Sequence, residues 1–255
     1  VTEPVVVTQD GSVIDVVLNR PEKKNALTSP MYAGLVSAIT QADADPRVRA
    51  VVVHATGSAF CAGNDLQDFA SGPPGPDSPV AQFLRVLART EVPLVAAVHG
   101  PAVGVGATML LHFDHVVAAQ DAVLQYPFVN RALVPEAGSS LLLPRVVGYL
   151  RASEIMLTGQ NVSADEALAL GLVSRVVPTG EHVAEARAFV QRLAGQPPAA
   201  VRLTKRLLRD DSPGLEQRMA AELELFVERL QSPEFMEAVS AFLQKRAPDF
   251  DSVAS

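Results

Sequence analysis

Every run in this chain that reads as a buried strand lies before Pro178, and each main one is followed by a glycine-bearing turn. "VVVTQDGSVIDVVLN" predicts two strands joined at Asp10-Gly11, a strong hairpin signal. "VRAVVVHA" and "VPLVAAVHG" are nearly continuous apolar runs, as strands covered on both faces require. The first runs into "TGSAFCAGND" and the second into "GPAVGVG", read as a turn that feeds a short apolar helix, "ATMLLHF". "HVVAA", "AVLQY" and "LVSRVV" are further short strands. Ser29-Pro30 predicts a helix start running to about Asp43, and Ser163 with Glu166 a capping box for a helix that stops before Gly171. The segment around Glu136 opens another helical region.

Beyond Pro178 only helical periodicity remains, through "VAEARAFVQRLAG", "AVRLTKRLL", "EQRMAAELELFVERL" and "PEFMEAVSAFLQKR". Repeated strand–strand–helix units with a helical tail predict an α/β core over residues 1–196 and a C-terminal helical domain over 197–255, divided at Pro197-Pro198. The Pro- and Gly-rich stretch Ser71–Ser78 is expected to be a mobile surface loop.

Composition removes whole classes of function. With 48% apolar residues in 255, the chain can bury a large core, and a net charge of −7 argues against a nucleic-acid surface. A single cysteine, Cys61, leaves no internal disulfide and suits a reducing compartment. The opening "VTEPVVVTQDG" lacks a secretory pattern, and "SVAS" is not a peroxisomal address. The apolar stretch Val92–Ala119 is broken by prolines, histidines and Asp114, so no membrane span is expected. A cytoplasmic, soluble protein follows as the expectation.

Familiar catalytic patterns are missing. There is no G-x-S-x-G elbow and no P-loop, and the five histidines with Cys61 show no paired metal-ligand spacing. The glycines of "GPAVGVG" do not match the dinucleotide fingerprint. A glycine-rich turn that opens a helix does leave backbone N–H groups unpaired, suited to an anion or the oxygen of a developing enolate. "SAFCAGND" offers the same chance at Asn64, so two amides can converge into an oxyanion hole. Glu136, in "PEAGSS", is a lone carboxylate among apolar and small residues. It is either a solvated first-turn residue or a group tuned for proton transfer.

"LNRPEKKNAL", "GSAFCAGNDL", "VHGPAVGVGATMLLHFDHVVAA", "LTGQNVSADEALALGLVSRVVP" and "AFLQKR" together resemble, in order, the landmarks of the crotonase superfamily, the enoyl-CoA hydratases, isomerases and relatives. The resemblance spans about Val5 to Phe250. It implies a crotonase-like spiral of ββα units with a C-terminal helical trimerisation region, in a homotrimer or dimer of trimers that binds an acyl-CoA thioester. It implies oxyanion-hole amides at Asn64 and Val105. Lys24 and Ala62 would hold CoA, with Asp65 counted on that side of the site and, with Asp68, steadying the loop. Phe242 and Lys245 would reach CoA from a neighbouring subunit.

Where hydratases of this family carry two glutamates, this chain has Thr108 and Phe128. Hydration needs one group to activate water and another to manage the C2 proton, so a standard hydratase is not expected. "PEAGSS" resembles instead the catalytic segment of Δ3,Δ2-enoyl-CoA isomerases of the peroxisomal type, which implies Glu136 as the single acid/base. The implied reaction shifts a 3,4 double bond to the 2,3 position with no cofactor beyond the CoA of the substrate, and the apolar stretch Leu66–Leu87 is expected to line the acyl pocket. Thioester hydrolysis, decarboxylation, dienoyl isomerisation and a non-catalytic acyl-CoA-binding protein are the alternatives.

Overall fold

Alternation along the strands decides how they are buried. The computed structural model describes residues 3–65, 75, 77–209, 212–250 and 252–253. Strands β1 (Val5–Asp10), β2 (Val13–Leu18), β3 (Ala50–Ala55), β4 (Leu94–Val98), β6 (His115–Ala119) and β9 (Arg175–Val177) form one sheet in that order. Only β1 runs antiparallel to its neighbour; the other pairs are parallel. A smaller sheet joins β5 (Pro101–Val103), β7 (Val123–Gln125) and β8 (Asn161–Ser163). Asp10 pairs with Val13, so the hairpin loop holds two residues, as the Asp-Gly signal predicts.

The helices in chain order are α1 (Ser29–Ala44), α2 (Pro79–Arg89), α3 (Val105–Thr108), α4 (Ser139–Val147), α5 (Tyr149–Thr158), α6 (Ala164–Ala169), α7 (His182–Ala194), α8 (Pro198–Leu208), α9 (Ser212–Leu230) and α10 (Pro233–Gln244). Val13, Val52, Val95, Ala97 and Val117 bury one face of the large sheet against Ala186 and Val190 of α7. Ile14, Val16, Val51, Val53, Ala96 and Val98 face the main core, which holds α1, α2 and the smaller sheet. Parallel strands with both faces covered explain why their sequences run apolar without a polar alternation. Met219 and Phe226 of α9 join this core, so the C-terminal helices pack against the strand-bearing part.

Two local expectations need correction. "GPAVGVG" is not merely a turn: Pro101–Val103 is a strand that pairs with β7 and bridges to Cys61 through Ala102. "ATMLLHF" is not one helix either, because α3 gives way at Met109–His112 to a 3-10 turn. Three residues of strand carry too little periodicity to be seen in sequence; the partners decide it. No described helix is long and apolar enough to cross a membrane.

Candidate active site

Two turns at the ends of strands bring backbone donors to one cavity. The first follows β3. Here Leu27 N–H donates to Gly63 O (2.8 Å) and Asp65 N–H to Leu27 O (2.9 Å), which leaves the Asn64 N–H outside the bridge. Tyr32 donates its hydroxyl to Asn64 Oδ1 and fixes that side chain. The second follows β5, where Gly104 at φ +56° turns the chain into α3 and gives its own N–H to Gln125 O (3.0 Å). Left-handed backbone of this kind favours glycine. Val105 is the first residue of α3, so its N–H has no partner within the helix. The turns touch: Gly106 lies so close to Cys61 that an added Cβ would stand 2.6 Å from Cys61 O.

A cavity of about 390 Å³ opens on both turns. Gly63, Asn64, Gly104, Val105, Phe128, Arg131 and Glu136 line it, with Phe235, Phe242 and Arg246 from the C-terminal end. Glu136 is the one carboxylate among the described lining residues. It does not begin a helix, since α4 starts at Ser139; it stands in the preceding turn and is 6% exposed, not solvated. Ala137 (φ +60°) and Gly138 (φ +70°) both adopt left-handed backbone there.

Three contacts hold this turn. Buried His112 bonds Ala137 O through Nε2 at 2.7 Å. Because a carbonyl only accepts, Nε2 carries the proton, and burial pushes the His112 pKa down to about 4, so the ring stays neutral. Glu222 of α9 accepts from Gly138 N–H (2.6 Å) and Ser140 N–H (3.0 Å), capping the start of α4 with a carboxylate. Ser139 donates Oγ–H to Glu136 O (2.6 Å).

Burial and, after it, the charge of Glu222 push the Glu136 pKa up to about 8. Among the described residues Glu136 Oε1 has no hydrogen-bond partner. A carboxyl that is unsolvated, unpaired and poised near neutral pH can both take and return a proton. Replacing Glu222 by Gln keeps an acceptor oxygen but removes the charge. The expected result is that the pH limb governed by Glu136 moves to lower pH in kcat/KM profiles. A limb that stays in place would show that the charge of Glu222 does not reach Glu136.

The other sequence candidates are spread around this centre. Ala62 lines the cavity, and its N–H donates to Lys24 O (2.9 Å), so the two loops adjoin; the Lys24 side chain is exposed and outside the lining. Asp65 does not line it. Its carboxylate pairs with Arg20 (2.6 Å), which also bonds Ala26 O and ties the Asn64 turn to the preceding loop. Phe242 lines the cavity of its own chain, whereas Lys245 lies outside the lining at the end of α10. Thr108 is fully buried and outside the lining and Phe128 lines the cavity, so neither position adds a second acid.

Of the stretch expected to line an acyl pocket, residues 66–74 and 76, including Asp68, lie outside the described residues. Val80 and Leu84 of α2 border a small apolar space behind Glu136, with Met219, Leu223 and Phe226. Among the described residues no group of three or more His, Cys, Asp or Glu side chains is placed to hold a metal ion. Sequence reasoning missed Tyr32, His112 and Glu222 as supports. Nothing local marks them: Glu222 sits in a run that reads as an ordinary amphipathic helix.

Comparison with known proteins fits this arrangement. The profile of the enoyl-CoA hydratase/isomerase family matches residues 8–253. The 1,2-epoxyphenylacetyl-CoA isomerase of Escherichia coli K12 is 34% identical over 252 residues, covering 94% of this chain and 95% of that protein. Enoyl-CoA delta isomerase 2 of Rattus norvegicus is 34% identical over 250 residues, covering 95% of this chain and 64% of the rat protein. The crystal structure of an enoyl-CoA hydratase/isomerase from Pseudoalteromonas atlantica T6c superposes with a TM-score of 0.94 at 42% identity, over 97% of this chain and all of that one.

Proposed function

The chain belongs to the enoyl-CoA hydratase/isomerase family and has its crotonase-like α/β fold, and within that family we propose that it is an acyl-CoA isomerase shifting a 3,4 double bond to the 2,3 position. The observation that carries this reading is the lone buried Glu136, raised to about 8, in a cavity shared with the Asn64 and Val105 turns. Hydration calls for two groups to manage water and the C2 proton, whereas a 1,3-proton shift needs one base that hands the same proton back.

In this mechanism the thioester oxygen sits on the N–H groups of Asn64 and Val105. Glu136, as carboxylate, takes the C2 proton; the electron pair delocalises through the carbonyl into a dienolate held by the two amides. The protonated Glu136 then delivers the proton to C4, and the double bond comes to rest between C2 and C3. CoA enters as part of the substrate, along the Lys24 and Ala62 loops with Phe242 and Lys245 beside it, and no separate cofactor takes part. The assembly proposed with it is a homotrimer or dimer of trimers, which would cover exposed Tyr149, Leu150, Leu157, Leu207 and Leu208.

The test is turnover of a 3-enoyl-CoA in D₂O, followed by the absorbance of the conjugated thioester and by mass spectrometry. The expected result is a 2-enoyl-CoA with little 3-hydroxyacyl-CoA beside it. Release of free CoA would point to thioester hydrolysis, and carbon dioxide from a malonyl-type thioester to decarboxylation. Binding with neither turnover nor C2–H exchange would reduce the protein to an acyl-CoA binder.

A further inference from the structure

The cavity holds a positive charge that nothing among the described residues answers. Arg131 lines it, half-buried, and among the described residues its guanidinium makes no hydrogen bond and no ion pair. Arg246, the other lining arginine, is matched by Glu237 at 2.5 and 2.8 Å. Burial alone pulls the Arg131 pKa down, with no carboxylate opposing it, yet a guanidinium stays protonated under all ordinary conditions. Nor does Glu136 answer it. Both line the cavity, but among the described residues no ion pair joins them, and burial with the charge of Glu222 raises that acid.

The loop that carries Arg131 is held on both sides. Leu133 N–H and Arg131 N–H both donate to Phe128 O (2.9 and 3.0 Å), and Asn130 donates its side-chain amide to Thr158 O (3.1 Å). Arg229 of α9 donates Nε–H to Ala132 O (3.0 Å), fixing the far side. A charge desolvated on a braced loop without a partner works against folding, and such arrangements are kept where a ligand completes them.

We propose that Arg131 is an anion-binding residue of this cavity, pairing in the ligand-bound protein with an anionic group that the acyl-CoA itself carries, either a carboxylate on the acyl part or a phosphate of CoA. Both present two oxygens to the planar fork of the guanidinium, a geometry an ammonium cannot reproduce. The ligand would then span the cavity between Glu136 and Arg131, so the anion fixes which carbon faces the carboxyl. This inference rests on the cavity being an acyl-CoA site, but not on the reaction being isomerisation.

The experiment is calorimetric binding to the parent, Arg131→Gln and Arg131→Lys. The probes are CoA, 3′-dephospho-CoA, hexanoyl-CoA, adipoyl-CoA and uncharged S-hexanoylpantetheine. The expected result is a loss of at least tenfold in Arg131→Gln that follows one anion. A loss confined to adipoyl-CoA assigns the acyl carboxylate. A loss shared by the CoA probes but absent for S-hexanoylpantetheine assigns a phosphate, and its persistence with 3′-dephospho-CoA narrows that to the diphosphate. Arg131→Lys should recover part of the affinity. Without ligand, Arg131→Gln should melt no lower than the parent, because it removes an unanswered charge. Equal affinity of parent and Gln variant for every probe overturns the proposal, as does an equal loss on every probe or a melting temperature lowered by several degrees. A parent that binds no CoA probe overturns this inference and the acyl-CoA reading together. A parent that binds but does not isomerise removes only the proposed reaction.

Discussion

Glu136→Gln should lower isomerase kcat by about 10²–10⁴-fold while making the protein more stable at alkaline pH. The two effects have one cause. Glu136 is held at about 8, against 4.5 for the free group, because burial strips water from its carboxylate and Glu222 repels it. At ~1.4 kcal/mol per pH unit, (8 − 4.5) × 1.4 gives roughly 5 kcal/mol as the most that ionising it takes from stability. The sign follows from proton binding. Between pH 4.5 and 8 the folded state holds the proton that the unfolded chain releases, so stability falls as pH rises through that window and levels off above it. A neutral glutamine escapes that loss. The variant should therefore melt close to the parent at pH 5 and several degrees higher at pH 9. For the parent, kcat/KM should rise with pH toward a plateau above about 8, since the base must be ionised to take the C2 proton. Thermal melts at the two pH values, with rate profiles on a 3-enoyl-CoA, check both halves. A variant that keeps its activity would remove Glu136 from the mechanism, and one whose stability gain ignores pH would remove the account of its burial.

Gly106→Ala should damage the site without touching a proposed catalytic group. The added methyl would stand 2.6 Å from Cys61 O and 2.8 Å from Cys61 Cβ, both too close to persist. Cys61 O is also the acceptor for Val103 N–H at 2.8 Å, one of the backbone bonds that join the segments carrying the two turns. Relief of the clash must push those turns apart, and the Asn64 and Val105 amides with them. Overpacking of this kind costs about 1–3 kcal/mol, and misplacement by an ångström at a reacting centre can cost about 10²-fold in rate. The expected outcome is a folded protein with a lowered melting temperature and kcat reduced more than KM is raised. Full activity in this variant would mean that the spacing of the two turns does not matter to the chemistry.

Much of this arrangement was legible in the sequence because it is local. The hairpin at Asp10-Gly11 follows from two residues, the doubly covered strands from continuous apolar runs, and the two donor turns from glycines placed after strands. Glu136 stood out as a carboxylate in an apolar stretch. What its surroundings do to it was not legible. Its burial depends on α9, and the carboxylate that raises its pKa, Glu222, lies 86 positions further along the chain (222 − 136). The same holds for Tyr32 on Asn64 and His112 on Ala137, which are ordinary residues of helical or apolar segments until the chain folds back.

The short strand β5 and the place of Phe242 belong to the same class, since both depend on partners rather than on neighbours in sequence. The unanswered charge of Arg131 is a further case: a sequence shows that an arginine is present, but only the folded chain shows that no carboxylate among the described residues reaches it. By itself the sequence determined which of the longer segments become strands and helices, where backbone donors are left over and which carboxylate stands among apolar residues, because periodicity and turn chemistry act over a few residues. Only the tertiary structure decided which groups meet, how far each is stripped of water and so which protonation state it holds, because desolvation and charge act through space and ignore the order of the chain.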